Sequence, residues 1–212
     1  MWKKWLIRGG VIVVVVALVL VGGYYVKKHL LLQDMLQGMQ AEDDLAVRSA
    51  VGSWPSPMNT PFEFKDRSGG AAVVASQNTS TILFWALARK NYDLANWLID
   101  QGADVNVGQT ATWADGRVSL FPPLVAAVQT RRPDLVKHLL DKGAKVNVQT
   151  SDGKTPLHYA VWSGQQDLVD MLLANRANVA VKDVDGKTPL TLATQFGLKK
   201  IAEDLRKAGA KE

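Results

Sequence analysis

Side chains suited to acid–base, nucleophilic or metal chemistry are few and scattered in this sequence. There are three histidines, His29, His138 and His158. No two of them have metal-ligand spacing, and no H-E-x-x-H run occurs. Cysteine is absent. That removes a thiolate nucleophile, a thiolate-bound zinc, a disulfide framework and an acylated lipoprotein cysteine. Adjacent carboxylates occur at Asp43-Asp44 and Glu203-Asp204, where solvation on a helix surface accounts for them. No G-x-S-x-G, phosphate loop or dinucleotide fingerprint is present. The inventory holds no nucleophile–base pair and no cofactor or metal site. The expectation is a chain that is not an enzyme and takes neither cofactor nor metal.

Charge distribution narrows the partners further. The formal net charge is +5. Lys3, Lys4, Arg8, Lys27 and Lys28 account for all of it, because residues 1–29 hold no acid and the remainder is formally neutral. A basic stripe that would track phosphates is missing, so no nucleic-acid partner is expected.

Residues 9–26, GGVIVVVVALVLVGGYYV, carry no charge. Extended back to Leu6, the run makes a helix spanning roughly 30 Å, the hydrocarbon thickness of a bilayer. In lipid the backbone must satisfy its own hydrogen bonds, so even valine and glycine go helical there. Trp2 and Trp5 at one end and Tyr24 and Tyr25 at the other sit where aromatic belts sit. The segment reads as a retained single-pass anchor through residues 6–26. A cleaved signal peptide is the competing reading, against which stands the lack of an A-x-A-like site. Three basic residues precede the run and two follow it. This bias favours an N-terminus on the cytoplasmic side, with the remainder in the periplasm if the membrane is a bacterial inner membrane.

From residue 78 onward the chain repeats. GKTPLHYAVWSGQQDLVDMLLANRANV (153–179) returns as GKTPLTLATQFGLKKIAEDLRKAGA (186–210). Thr155 and Thr188 are 33 residues apart, and Pro123–Ala127 lies the same distance before Pro156–Ala160. The step from TILFWALARKNYDLANWLIDQGADVNV (81–107) is 41, so eight residues are inserted once. This period, with TPLHYA at 155–160 and the endings GADVN and GAKVN, resembles the ankyrin repeat. The resemblance covers about four units over residues 78–210. It implies an all-α solenoid of helix–turn–helix units joined by β-hairpins, preceded here by the transmembrane helix.

The residue pattern explains such a unit. Thr155 caps a helix and Pro156 takes its first position, where no N–H is needed. Leu157 and Ala160 face inward. Asp167 opens the second helix, with Leu168, Val169, Leu172 and Leu173 as its apolar face. Gly102, Gly143 and Gly209 end the second helices in left-handed caps. Arg176 takes that place in one unit, with Asn175 before it as a source of conformational freedom. The charged last helix supplies a polar end to the stack.

The N-terminal part is less regular. The domain reading is an anchor at 1–29, a degenerate first repeat with loop at 30–77, and four repeats at 78–212. Residues 30–52 read as two helices, LLLQDMLQGMQ and EDDLAVRSAVG. Residues 53–61 are proline-interrupted. Residues 62–76 read as a β-hairpin of Phe62–Lys65 and Ala71–Ala75. The insertion, 108–121, reads as a lengthened finger with a type I′ turn at Asp115-Gly116.

The resemblance implies binding through finger tips and the exposed face of each first helix. Matching positions are Ala88 and Arg89, Gln129 and Thr130, Trp162 and Ser163, Gln195 and Phe196. The residue before each T-P-L motif adds Ser80, Phe121, Lys154 and Lys187. Trp113 near the inserted finger's tip is a further candidate, either as a contact or folded back on Phe121. Trp162, Phe196 and Phe121 are large apolar side chains where solvent is expected. They read as an apolar binding strip, or as residues packing on one another across repeats. His158 is implied to stabilise its turn. The functional expectation is a membrane-anchored protein-interaction module, an accessory subunit or scaffold of a membrane complex. The alternatives are an immunity-type neutraliser of a toxin and an envelope stress-protection protein.

Overall fold

The computed structural model describes residues 37, 38, 41, 43–52, 62–63, 77–112 and 118–211. The proposed anchor, residues 53–61, the Ala71–Ala75 strand and Trp113 lie outside them. Among the described residues no helix is long and apolar enough to cross a membrane. The chain divides into two units, Met1–Pro57 and Met58–Glu212. In the first, helix α1 (Asp44–Gly52) is capped by Asp43, whose carboxylate accepts from the N–H groups of Leu45 and Ala46 at 3.0 and 3.1 Å. One member of the Asp43-Asp44 pair is therefore a helix cap.

The second unit begins with strands β1 (Phe62–Glu63) and β2 (Gln77–Ser80). Helices α2 (Ile82–Ala88) and α3 (Tyr92–Asp100) follow, then strands β3 (Gln109–Thr112) and β4 (Val118–Phe121). Three further helix pairs complete it: α4 (Pro123–Gln129) with α5 (Pro133–Asp141), α6 (Pro156–Trp162) with α7 (Gln166–Ala174), and α8 (Pro189–Gln195) with α9 (Lys199–Lys207). First helices α2, α4, α6 and α8 pack successively on one another, and α3, α5 and α7 do the same in an outer layer.

The core is built of repeating columns. Leu83, Leu124, Leu157 and Leu190 are buried at one register of the first helices, and Ala86, Ala127, Ala160 and Ala193 at another. The alanines let paired helices approach. In the outer layer Leu98, Leu139, Leu172 and Leu205 form a third buried column. Each such leucine contributes about 1.5–3 kcal/mol by leaving water. No single globular core is needed, because each repeat buries its face on the next.

Thr81, Thr155 and Thr188 stand at helix N-caps, each followed by the three-residue reach to an orphan N–H. Gly102, Gly143 and Gly209 take left-handed φ values of 89°, 87° and 95°, as the cap reading expects. At the fourth such site Arg176 itself is left-handed (φ 63°), while Asn175 keeps φ −90°. The strain thus falls on the arginine, and the asparagine side chain only donates to the Met171 carbonyl at 2.9 Å. Helix α7 starts one residue before Asp167, at Gln166.

One β reading is corrected. β1 pairs antiparallel with β2, Phe62 opposite Ser80 and Glu63 opposite Thr79, so its partner strand lies beyond Ala71–Ala75. β3 and β4 pair antiparallel with Thr112 opposite Val118, and the Asp115-Gly116 turn lies outside the described residues. β2 also pairs with β3, so all four strands form one sheet in the order β1-β2-β3-β4. The inserted finger is half of a sheet rather than a free hairpin. This sheet is an addition to the all-α expectation. Among the described residues, the later fingers at 145–153 and 178–186 are turns without strand pairing.

Candidate functional site

A cleft of about 420 Å³ opens along the first helices and fingers of the last two repeats. Its apolar side is made by Tyr159, Trp162, Leu192 and Phe196, and its polar side by side chains from the two fingers. Trp162 is 63% exposed and Phe196 45% exposed. Gln129 and Gln195 also line the cleft. Trp162 and Phe196 occupy equivalent ends of α6 and α8, so the stacking of these helices brings them to one face.

The polar side rests on two stacked fingers. The Val184 N–H donates to the Asp152 carbonyl at 3.0 Å. Gly153, left-handed at φ 75°, lies so close that a Cβ there would meet the Asp183 Cα at 3.1 Å. Within one finger Lys154 donates to Asp152 at 2.5 Å, and the Thr150 hydroxyl donates to the same carboxylate. Burial works to raise the Asp152 carboxyl, but Lys154 and Thr150 outweigh it and leave it below the usual carboxylate range. The same pairing with Asp152 raises the Lys154 ammonium. In the next finger Asp183 Oδ1 accepts from the Asp185 and Lys187 N–H groups at 3.0 and 2.9 Å. Burial pushes the Tyr159 phenol above its ordinary value, so it stays protonated at neutral pH.

His158 holds the two repeats together. It is fully buried, and its Nδ1 accepts from the Thr155 N–H at 3.1 Å and lies 2.8 Å from the Thr155 hydroxyl. Nδ1 is therefore unprotonated, and Nε2–H donates to the Lys187 carbonyl of the next repeat at 3.2 Å. Its role exceeds the local turn. Burial lowers its pKa below 6.5, which favours the neutral ring this geometry requires. His138 is likewise a tie between repeats, 2.9 Å from Asn96 and 3.0 Å from Asp100 of α3. Among the described residues no cluster of ligating side chains could hold a metal ion.

The other sequence-derived candidates fall elsewhere. Phe121 packs edge-on against Phe84 at 5.9 Å and Tyr159 at 6.3 Å. It joins the first three repeats and meets the cleft only through Tyr159. Thr130 and Ser163 sit at helix C-termini, and their hydroxyls donate back to the Ala127 and Tyr159 carbonyls at 2.6 and 2.8 Å. Such back-bonding is a capping role. Arg89 lies over the Trp85 ring at 5.8 Å. Asp152, Asp183, Asp185, Tyr159 and Leu192 were missed as cleft residues. Tyr159 and Leu192 share one register of the repeat, 33 residues apart, which was the available signal.

Comparison with known proteins bears on this arrangement. A family model described as ankyrin repeats, three copies, matches residues 124–211, and one described as ankyrin repeat matches 78–108. Together they cover more than half of the chain, which belongs to the ankyrin-repeat proteins. Among curated proteins it is similar to the E3 ubiquitin-protein ligase Ufd4 of Drosophila melanogaster, 35% identical over 126 residues. That stretch is 59% of this chain but only 4% of the ligase. Ankyrin repeats make this chain a protein–protein interaction module.

Proposed function

We propose that this chain is a non-catalytic, membrane-confined adaptor that holds a partner protein in the cleft of its last two repeats. Residues 6–26 act as the tether, and the repeats lie in the periplasm of a bacterium as an accessory subunit or scaffold of an inner-membrane complex. The observation that carries the reading is the pair Trp162 and Phe196. They present large apolar surface on one face of a protein whose large aliphatic side chains on the first helices are buried. Partially exposed aromatics in a cleft are the usual anchors of protein interfaces. The apolar run, its aromatic flanks and its basic ends support the tether.

The test is co-purification of the full chain from detergent-solubilised membranes. A stoichiometric partner is expected with the native chain and lost with the Trp162→Ser, Phe196→Ser double variant, at unchanged helix content. Retention by the double variant contradicts the cleft reading. Protease treatment of intact spheroplasts should digest the repeats; protection contradicts the periplasmic placement.

A further inference from the structure

The ends of successive first helices reach the cleft at one register. Gln129, Trp162 and Gln195 are the last residues of α4, α6 and α8, and all three line it. Helices packed side by side lie about 8–10 Å apart, so these side chains recur at about that spacing. All three are exposed, and among the described residues their side chains make no hydrogen bond. The accessible charges of the cleft cancel. Lys154 is paired with Asp152, and Lys187 and Asp185 add one charge of each sign. Asp183 is closed off, buried and held by two backbone N–H groups. A ligand therefore gains little from net charge here. It gains from rings laid on exposed aromatic faces and from carbonyls offered to amide and indole donors.

We propose that the cleft takes an uncharged, proline-rich segment of the partner in the polyproline II conformation, laid across the ends of α4, α6 and α8. Such a chain has three residues per turn at about 3.1 Å each, so one face recurs every ~9.3 Å, in step with the helices. A β-strand shows the same face every ~6.7 Å and falls out of step. An amphipathic helix needs a stripe of apolar anchors at i, i+3, i+4 and i+7, whereas this cleft offers two exposed aromatics flanked by amides. A polyproline II backbone has no internal hydrogen bonds, and proline has no N–H, so its carbonyls call for donors. The Gln129 and Gln195 amides and the Trp162 indole supply them. One proline ring rests on Trp162 and a second apolar side chain on Phe196. This rests on the adaptor reading and gives its partner a chemistry.

The probe is a random twelve-residue peptide library selected on the full chain in neutral detergent. Selected peptides should be enriched in proline, with prolines or a proline and an apolar residue three positions apart. Inserting one alanine between those two positions should weaken binding about ten-fold by breaking the register. On the protein, Gln129→Leu and Gln195→Leu each remove one donor from an exposed helix end and should each weaken binding about five-fold, at unchanged helix content. Selection without proline, tolerance of the inserted alanine, or a library that yields no binder overturns the proposal. So do selected peptides with apolar residues at helical spacing. Peptides of any other kind that still need Trp162 and Phe196 leave the adaptor reading standing. Peptides indifferent to both aromatics overturn both.

Discussion

The first two repeats and the last two solve one folding problem by different means. In the last two, the first helix of each pair and the turn after it have the residues their geometry asks for. Thr155 and Thr188 cap their helices, Pro156 and Pro189 follow, and Gly164 and Gly197 take φ 65° and 68° between the paired helices. In the first two, the equivalent left-handed positions are Lys90 and Arg131, at φ 59° and 57°. Helix α4 is preceded by Pro122, which has no side chain to cap it. These repeats gain a four-stranded sheet and the Phe84–Phe121–Tyr159 aromatic contacts instead. Local chemistry specifies the C-terminal half, and long-range pairing supplements the N-terminal half. The candidate cleft lies where local specification is strongest, so its aromatics and carboxylates stand on a rigid support.

The largest test of this contrast is His158→Ala. It leaves the Lys187 carbonyl and the Thr155 N–H short of a buried partner, and should cost about 2–4 kcal/mol in urea denaturation. The pH dependence follows from the same residue. Its folded pKa lies below the unfolded value of 6.5, so the unfolded chain binds more protons in acid. Stability is full above 6.5 and is lost as pH falls below it, through the folded pKa. The alanine variant lacks that loss, so its deficit against the native chain should shrink from neutral pH downward. A deficit that widens would contradict a buried neutral ring.

Next in size are Gly164→Ala and Gly197→Ala. An added Cβ meets only Leu198 Cδ2 at 3.7 Å in the first case and nothing within 4 Å in the second. The cost is then conformational, about 1–2 kcal/mol each. The mirror experiment has a smaller effect of opposite sign. Lys90→Gly and Arg131→Gly should each stabilise by about 0.5–1 kcal/mol, since relief of left-handed strain exceeds the added chain entropy. Arg176→Gly should behave alike. If Lys90→Gly and Arg131→Gly destabilise, the N-terminal repeats depend on those side chains for something other than the turn.

Legibility in the sequence follows the same division. The repeat period, the threonine caps, the glycine ends and the leucine columns are local signals, and they were readable to the residue. Trp162 and Phe196 could be placed on one face because the period is regular there. The sheet could not, since β2 and β3 are separated by a whole helix pair and their pairing is decided by contact, not spacing. Asp183 looked like an ordinary loop aspartate. Its burial accompanies the close approach of two fingers, Gly153 against the Asp183 backbone, which no local pattern announces. Of the two readings open for Phe121, strip or packing, sequence alone gave no sign that Phe84 and Tyr159 would meet its ring.

The most direct test of the account is site-specific photo-crosslinking in intact cells. A photoreactive residue replaces Gln195, which lines the cleft, or Lys137, exposed on outer helix α5. The account predicts a discrete protein adduct from position 195 and none from position 137. An adduct from position 137 alone, or none from position 195, would contradict it.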